Sequence, residues 1–447
     1  MIVDESSFLK LFNTRFWKKL NESIIPFNDK HINKDEFLKN LYFDLKHFKY
    51  TPSNPRQYIV FNKFNGISRY VPTFGRKDYC VYYYVIKILE QNIAKNRVEG
   101  TFGGWTLGNP IKLKEEEELL SIEYIPYNTL NPQSWINEWR SFQGVARKYS
   151  SIDNFTFFIK FDIANFYDSI NLSILERKIR HLVNSSLQEH ITLLMYFLHG
   201  WNKQLEQYNI KTVGIPQDEI GDMSRILANF YLQDYDESMK KICGAIDCKY
   251  IRFSDDQIIF AKSKETAKKV LFHASKELFK INLNINSGKT KIFSSKKQFD
   301  EYWAFDIFDK LKNKENKKSI NTGINDYFTR LKNNIEFRDY SVLKRILSVD
   351  INLIEDNHKD KLKSIVENEG FLELLDIWWF NRVKDLFDND RLFFKILESN
   401  IPNSLFNSFL YRLLKFYEKY KNDKIVREIN DRLEKINSSN YYNNFNN

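Results

Sequence analysis

Residues 250–260, YIRFSDDQIIF, carry the reading of this chain. Tyr250–Phe253 and Gln257–Phe260 are short apolar, strand-like runs on either side of Ser254, Asp255 and Asp256. That pattern predicts a β-hairpin. Two adjacent aspartates at a hairpin tip concentrate negative charge, which is unfavourable unless a cation compensates it. A turn needs only one Asp or Asn for its geometry. The second carboxylate therefore asks for another explanation.

A second stretch upstream supplies one. Residues 158–170, FIKFDIANFYDSI, begin with the end of a continuous apolar-aromatic run over Phe155–Phe161, which predicts a buried strand. Asp162 follows directly and would project a carboxylate from the sheet edge. Each signal alone is ordinary, since a lone Ser-Asp-Asp is usually a solvated turn. Together, three aspartates from two neighbouring strands match what nucleotidyl transfer demands. Two divalent ions about 3.5–4 Å apart clamp the attacking hydroxyl and the leaving pyrophosphate. Mg²⁺ accepts a few carboxylates together with phosphate oxygens and water. Asp162, Asp255 and Asp256 are thus the candidate catalytic and metal-binding residues, with Mg²⁺ expected and Mn²⁺ as a substitute.

Composition bounds the rest. A chain of 447 residues is too long for one small core, and two or three packed units are expected. A net charge of +10 suits a polyanion such as nucleic acid, and equally an ordinary soluble protein with excess lysine. The three cysteines, Cys80, Cys243 and Cys248, form no disulfide or zinc pattern and fit a reducing cytoplasm. No apolar run reaches the roughly 18 residues of a membrane span. The amphipathic start lacks the apolar region and cleavage site of a signal peptide. A cytoplasmic location and no membrane partner are expected.

Along the chain, helical spacing predicts an N-terminal helical segment over residues 1–50. Thr51–Arg56 reads as a loop, and the runs Tyr58–Phe61 and Ser68–Val71 as a hairpin around a Gly-containing turn. Helices are expected over 78–92, 135–149, 171–200, 222–239 and 265–279. Lys112–Glu118 reads as a solvated charge run. Lys310–Lys318, charged and poor in apolar residues, is the expected domain boundary. Beyond it the period is helical, with one apolar stripe through Leu405, Phe406, Phe409, Leu410, Leu413, Leu414 and Tyr417. The Asn- and Tyr-rich residues 438–447 read as a disordered tail.

These motifs, in this order, resemble the reverse-transcriptase family over about residues 55–305. FDIANFYDSI resembles its first palm motif, and YIRFSDDQIIF its metal-binding hairpin. Between them, Gly214-Ile-Pro-Gln217 and then residues 224–232, SRILANFYL, are similar to the loop and helix lining the nucleotide and template side. Residues 283–293, LNINSGKTKIF, resemble the fourth palm motif. Residues 66–72, GISRYVP, with Lys77, resemble the fingers segment. The resemblance implies an α+β fold: fingers and palm over 51–310, then an all-α helical domain over 311–437 in place of a thumb. It implies a DNA polymerase acting on dNTPs. Tyr167 would lie under the incoming sugar and disfavour a 2′-hydroxyl. Arg69, and more weakly Lys77, would meet the triphosphate. Gln217 would contact nucleotide or template, and Lys289 would protonate the leaving pyrophosphate or face solvent. Asp256 is the secondary metal ligand of the three.

Two departures qualify the match. Asp218 stands where the family has glycine after Pro-Gln, placing a negative side chain where backbone normally approaches substrate. Near Tyr302-Trp-Ala-Phe305 the usual Leu-Gly pair is also changed. These departures and the helical C-terminal part resemble the bacterial abortive-infection and defence-associated branch. Members of that branch include enzymes that work without a template, that start from a protein hydroxyl, that use a non-coding RNA, or that oligomerise. The resemblance leaves open which of these apply here. It implies a DNA product, a non-coding RNA as a possible partner, and a homo-oligomer formed through the helical domain. Tyr441 and Tyr442 are conceivable priming hydroxyls, set against plain tail flexibility. The competing readings are a non-catalytic nucleic-acid-binding scaffold and a mobile-element reverse transcriptase of retron or group II intron type. An RNA-dependent RNA polymerase ranks behind both.

Overall fold

The computed structural model describes residues 3–27, 32–63, 66–116, 119–124, 135–201, 214–217, 219–220, 223–312, 316–367, 371–387 and 389–439. Its contacts divide the chain into two compact units, one of Met1–Gln57 with Pro72–Lys296 and one of Tyr58–Val71 with Lys297–Asn447.

The first unit opens with helices α1 (Glu5–Leu11), α2 (Thr14–Asn21) and α3 (Lys34–Lys46). Each starts at an Asp or Asn whose side chain accepts a backbone N–H of the first turn: Asp4, Asn13 and Asn33. Their apolar residues Phe8, Phe12, Leu38 and Leu41 join the main core. Segment 51–56 is irregular, as expected, and leads to β1 (Gln57–Asn62) and β2 (Ser68–Thr73). Helix α4 (Arg76–Ala94) is buried along almost its whole length. Its tyrosines satisfy their hydroxyls inside: Tyr82 meets Ser224 at 2.7 Å and Tyr84 meets His190 at 2.8 Å.

Next come β3 (Thr101–Phe102), β4 (Ile111–Glu116) and β5 (Leu119–Tyr124). The charge run expected as a solvated face is largely the antiparallel strand pair β4–β5. Ile111 and Leu113 turn toward the core while Lys112 and Lys114 stay exposed, the alternation of a half-buried strand. Helix α5 (Trp135–Ser150) precedes β6 (Phe157–Phe161), short α6 (Phe166–Ser169), α7 (Leu172–Leu182), α8 (Gln188–Gly200), α9 (Met223–Tyr231) and α10 (Gln233–Ala245). The predicted hairpin is β7 (Lys249–Phe253) with β8 (Asp256–Ala261), followed by α11 (Lys264–Lys280) and β9 (Lys291–Phe293). The central sheet has the order β3-β7-β8-β6-β9, antiparallel except where β3 lies parallel to β7. Strand β6 is interior to the sheet and buried from Phe158 to Phe161, which accounts for its unbroken apolar run. All three cysteines are buried free thiols.

The second unit contains residues 58–71 of the hairpin and the helices α12 (Lys296–Trp303), α13 (Phe305–Lys310), α14 (Lys317–Lys332), α15 (Asp339–Leu347), α16 (Asp356–Glu367), α17 (Ile377–Lys384), α18 (Asp390–Ser399), α19 (Asn407–Glu418) and α20 (Asp423–Ser439). The division at Lys296/Lys297 lies ahead of the charged segment 310–318. Burial explains why: Ala304, Ile307 and Leu311 share a core with Ile320 and Ile324 of α14. Gly323 allows the approach, since a Cβ there would lie 3.1 Å from Cβ of Lys310. Of the predicted stripe, Phe406, Phe409, Leu410, Leu413 and Tyr417 are buried, whereas Leu405 is exposed. Tyr441 and Tyr442 lie outside the described residues. Among those described, no helix is long and apolar enough to cross a membrane.

Candidate active site

Pairing of Phe253 with Asp256 leaves Ser254 and Asp255 as a two-residue turn, so Asp256 is the first residue of β8. Ser254 has φ +53°, a left-handed conformation that costs a non-glycine residue energy. Its backbone is held on both sides. The N–H donates to the Phe102 carbonyl of β3 at 3.2 Å, and the C=O accepts from Nη1 of Arg252 at 3.0 Å.

Arg252 is fully buried and anchors the turn from beneath. Its Nε and Nη2 donate to the Asp236 carboxylate at 2.9 and 2.5 Å, and Nη1 also donates to Asn229 Oδ1 at 2.7 Å. Asn229 in turn donates to the Gly104 carbonyl at 2.7 Å. Gly103 has φ +128°, and a Cβ there would stand 3.0 Å from Asn229 Nδ2 and 3.3 Å from Ser254 Oγ. Tyr250 donates to Asp236, and Tyr235 to Gln257, closing the network. A buried ion pair of this kind offsets desolvation only when its remaining hydrogen bonds are made, as they are here.

The register of β6 against β8 sets Phe161 opposite Gln257, so Asp162 emerges beside the turn. The chain after it is pinned to the segment before β9. Asn286 N–H donates to the Asp162 carbonyl at 2.7 Å, and Ala164 N–H to Asn284 at 2.8 Å. Asp255, in that turn, is pushed up to about 7, by burial first and then by the charges of Asp256 and Asp162. Lysines meet two of the three aspartates. Lys289 Nζ lies 2.6 Å from Asp162 Oδ2, and Lys160 Nζ 2.6 Å from Asp256 Oδ1. With Asp256 turned to Lys160, no three Asp, Glu, His or Cys side chains among the described residues converge as a metal-binding group as they stand.

Tyr167 lies on α6, just past Asp162, half-buried against Phe166. The loop Gly214–Gln217 is fastened to it, because Ile215 N–H donates to the Tyr167 carbonyl at 3.1 Å. Trp201 Nε1 donates to the Gly214 carbonyl at 3.1 Å. A Cβ on Gly214 would fall 2.1 Å from the Tyr167 carbonyl oxygen, so only glycine fits that crossing. Gln217, half-buried, continues this loop; Asp218 lies outside the described residues. The first unit therefore gathers Asp162, Asp255, Asp256, Tyr167 and Lys289, with the Gln217 loop attached to Tyr167. Lys77, at the start of α4, pairs with Asp44 of α3 at 2.7 Å. Arg69 is an exposed residue of β2, in the second unit.

Four residues that position the site were not singled out for that role from sequence: Lys160, Arg252, Asp236 and Gly103. Lys160 and Arg252 did carry a signal, since each is a lone cation inside an apolar strand and must find an anion when buried.

Residues 118–316 match the family model described as reverse transcriptase (RNA-dependent DNA polymerase). Residues 118–316 thus carry a reverse transcriptase domain. The matched span includes Asp162, Tyr167, Gln217, Asp255, Asp256 and Lys289. Similar solved structures include an apo telomerase from Candida tropicalis truncated from its C-terminal domain, at 16% identity, 58% of this chain, 55% of that chain and a TM-score of 0.36. Telomerase from Candida tropicalis in complex with a fragment of telomeric RNA gives 12%, 90%, 68% and 0.38. The Candida albicans counterpart gives 11%, 90%, 77% and 0.31. The chain spans about half the length of the first of these, 55%. No curated protein matches the sequence.

Proposed function

We propose that this protein is a DNA polymerase that joins deoxynucleotides at Asp162 and Asp255. The observation that carries the reading is the register that brings Asp162, just past the end of β6, beside the β7–β8 turn that bears Asp255; burial and the charges of Asp256 and Asp162 there raise the Asp255 carboxyl. Facing carboxylates gain from a shared cation, and their hard oxygens suit Mg²⁺ or Mn²⁺. When bound, such ions would supply charge neutralisation for the attacking oxygen and the leaving pyrophosphate. Asp256, paired with Lys160, is the secondary ligand.

The protein's own side chains divide the remaining work. A primer hydroxyl attacks the α-phosphorus of a dNTP, its proton passes to solvent, and the bond to pyrophosphate breaks. Lys289, the ion-pair partner of Asp162, holds the proton that the departing pyrophosphate takes up. Tyr167 lies under the sugar and excludes a 2′-hydroxyl. Gln217 contacts nucleotide or template, and Arg69 and Lys77 meet the triphosphate. Nucleic acid is the macromolecular partner, in keeping with the +10 net charge.

The finer reading places the enzyme in antiphage defence, as a cytoplasmic bacterial polymerase that assembles through its helical unit. Its support is the resemblance of residues 224–232, of Asp218 and of the helical C-terminal part to that branch. Template-free and protein-primed synthesis, a non-coding RNA partner, and Tyr441 or Tyr442 as primer belong to the same reading.

Incubating purified protein with dNTPs and Mg²⁺ or Mn²⁺, then sequencing the bound nucleic acid, tests it. Incorporation that disappears in Asp255→Ala is expected. The polymerase reading fails if no template, primer or metal yields incorporation, and a double Asp255→Asn/Asp256→Asn variant with full biological activity would favour the scaffold reading.

A further inference from the structure

We infer that Asn407 of the helical unit is a positioning residue for the hairpin of residues 58–71, so that this unit holds Arg69 in place. The inference rests on the polymerase reading and on the role that reading gives Arg69.

A two-stranded hairpin is marginal by itself and must lean on a larger body. Residues 58–71 lean on the helical unit. Val60 is buried in the same core as Phe406, Phe409 and Leu410. Asn407, 2% exposed, presents its amide to β1. Its Oδ1 accepts the Val60 N–H at 2.7 Å, and its Nδ2 donates to the Tyr58 carbonyl at 2.9 Å. In a strand, these two groups of residues i and i+2 point to the same edge. The amide thus occupies that edge as a neighbouring strand would.

Two further contacts fix the hairpin. Asn62 Nδ2 donates to Glu373 Oε2 at 2.9 Å, while Glu373 Oε1 accepts from Ser404 Oγ at 2.7 Å. The Arg412 guanidinium lies over the Phe61 ring at 5.2 Å, and its Nη1 donates to the Leu375 carbonyl at 2.9 Å. These contacts all fall on β1. On β2, Ser68, Arg69 and Tyr70 are exposed. The anchored strand therefore carries a partner strand whose first three residues are exposed, Arg69 among them.

The test compares Asn407→Ala, Asn62→Ala, Arg69→Ala and the Asn407→Ala/Arg69→Ala double variant. Asn62 belongs to the hairpin and is no member of the helical unit's apolar core, so its loss leaves that core intact. In dNTP incorporation, Asn407→Ala should raise KM about tenfold with kcat within about twofold, the scale of a lost pair of buried hydrogen bonds. Asn62→Ala should shift KM the same way by less. The double variant should add less than about twofold to Arg69→Ala, since both act through one hairpin. Hydrogen exchange provides a readout independent of turnover: residues 58–71 should exchange faster in Asn407→Ala and Asn62→Ala, with β6 and β8 unchanged. Unchanged exchange in both variants, an unchanged KM in folded protein, or additive effects in the double variant would overturn the inference. A wild type that never incorporates dNTPs fails the polymerase reading itself. Normal incorporation with unmoved KM fails only this inference.

Discussion

Lys160 and Asp256 form a 2.6 Å ion pair across β6 and β8, one step back from the Asp162 and Asp255 carboxyls. They are diagonal neighbours on one sheet face, since Lys160 pairs with Ile258 and Asp256 stands two residues away. The pair separates the two adjacent aspartates by role. Asp255 faces Asp162, while Asp256 already has a counter-charge. Incorporation should therefore fall at least about a thousandfold in Asp162→Asn or Asp255→Asn and only about tenfold in Asp256→Asn. Steady-state rates at saturating dNTP and metal check this. Equal losses at Asp255 and Asp256 would contradict the division of roles.

Removing the cation should be worse than removing both charges. Lys160→Met leaves Asp256 unpaired beside two other carboxylates and should destabilise the fold by about 1–3 kcal/mol. Adding Asp256→Asn should recover most of that loss. Denaturant unfolding of the two variants gives the comparison, and a double variant no more stable than Lys160→Met would count against the account.

Gly214 crosses the Tyr167 backbone too closely for any side chain, with a virtual Cβ 2.1 Å from the carbonyl oxygen. Gly214→Ala must push the Gly214–Gln217 loop off Tyr167 and break the Ile215 N–H bond. We expect a stability loss of about 1–3 kcal/mol and a larger loss of incorporation. Weakened rejection of ribonucleotides should accompany it, because the loop holds the backbone that carries the Tyr167 ring. Melting temperature and the ratio of dNTP to rNTP use are the readouts. An alanine variant with wild-type values for both would show that the loop does not hold Tyr167.

Much of this site was legible because its signals are local. The run over Phe155–Phe161 and the two apolar runs around Ser254 are strands by period and length, and each carboxylate sits at a strand end that the period locates. The pairing of Lys160 with Asp256 was not legible, since it depends on register between strands almost a hundred residues apart in sequence. The charged run from Lys112 misled for a different reason: alternation with Ile111 and Leu113 is a strand signal, but high charge density masks it. The attachment of residues 58–71 to the helical unit is set by Asn407, whose type and surroundings look like any helix N-terminus. Only tertiary structure shows its amide on β1.

Arg252 supports the Ser254–Asp255 turn from a fully buried position, with Asp236, Asn229 and the Ser254 carbonyl as its partners. Loss of one member of a buried ion pair leaves the other charge unsatisfied and costs about 3–5 kcal/mol. Arg252→Met should cost that much, and Asp236→Leu similarly. The combined variant should lose clearly less than the sum. Its incorporation should nevertheless stay low, because Ser254 loses the donor that steadies its left-handed backbone. Chemical denaturation of all three variants supplies the cycle, and strict additivity would mean the pair is not coupled.

His190 gives the fold a pH dependence whose direction follows from burial. It is 3% exposed, its Nε2 lies 2.8 Å from the Tyr84 hydroxyl, and burial lowers its pKa to about 4. In the unfolded chain a histidine titrates near 6.5. Between those values the unfolded state binds a proton that the folded state refuses. The stability contributed by neutral His190 is therefore complete above about pH 6.5, falls as pH drops toward 4, and stops falling below it. The loss across the window should be about 3 kcal/mol, on the scale of 1.36 kcal/mol per pKa unit. His190→Phe should flatten this part of the stability profile while lowering stability at neutral pH through the lost Tyr84 bond. Denaturant midpoints measured at intervals from pH 4 to 7.5 on wild type and variant decide the matter. If the two profiles keep the same slope between pH 4 and 6.5, His190 is not the group responsible.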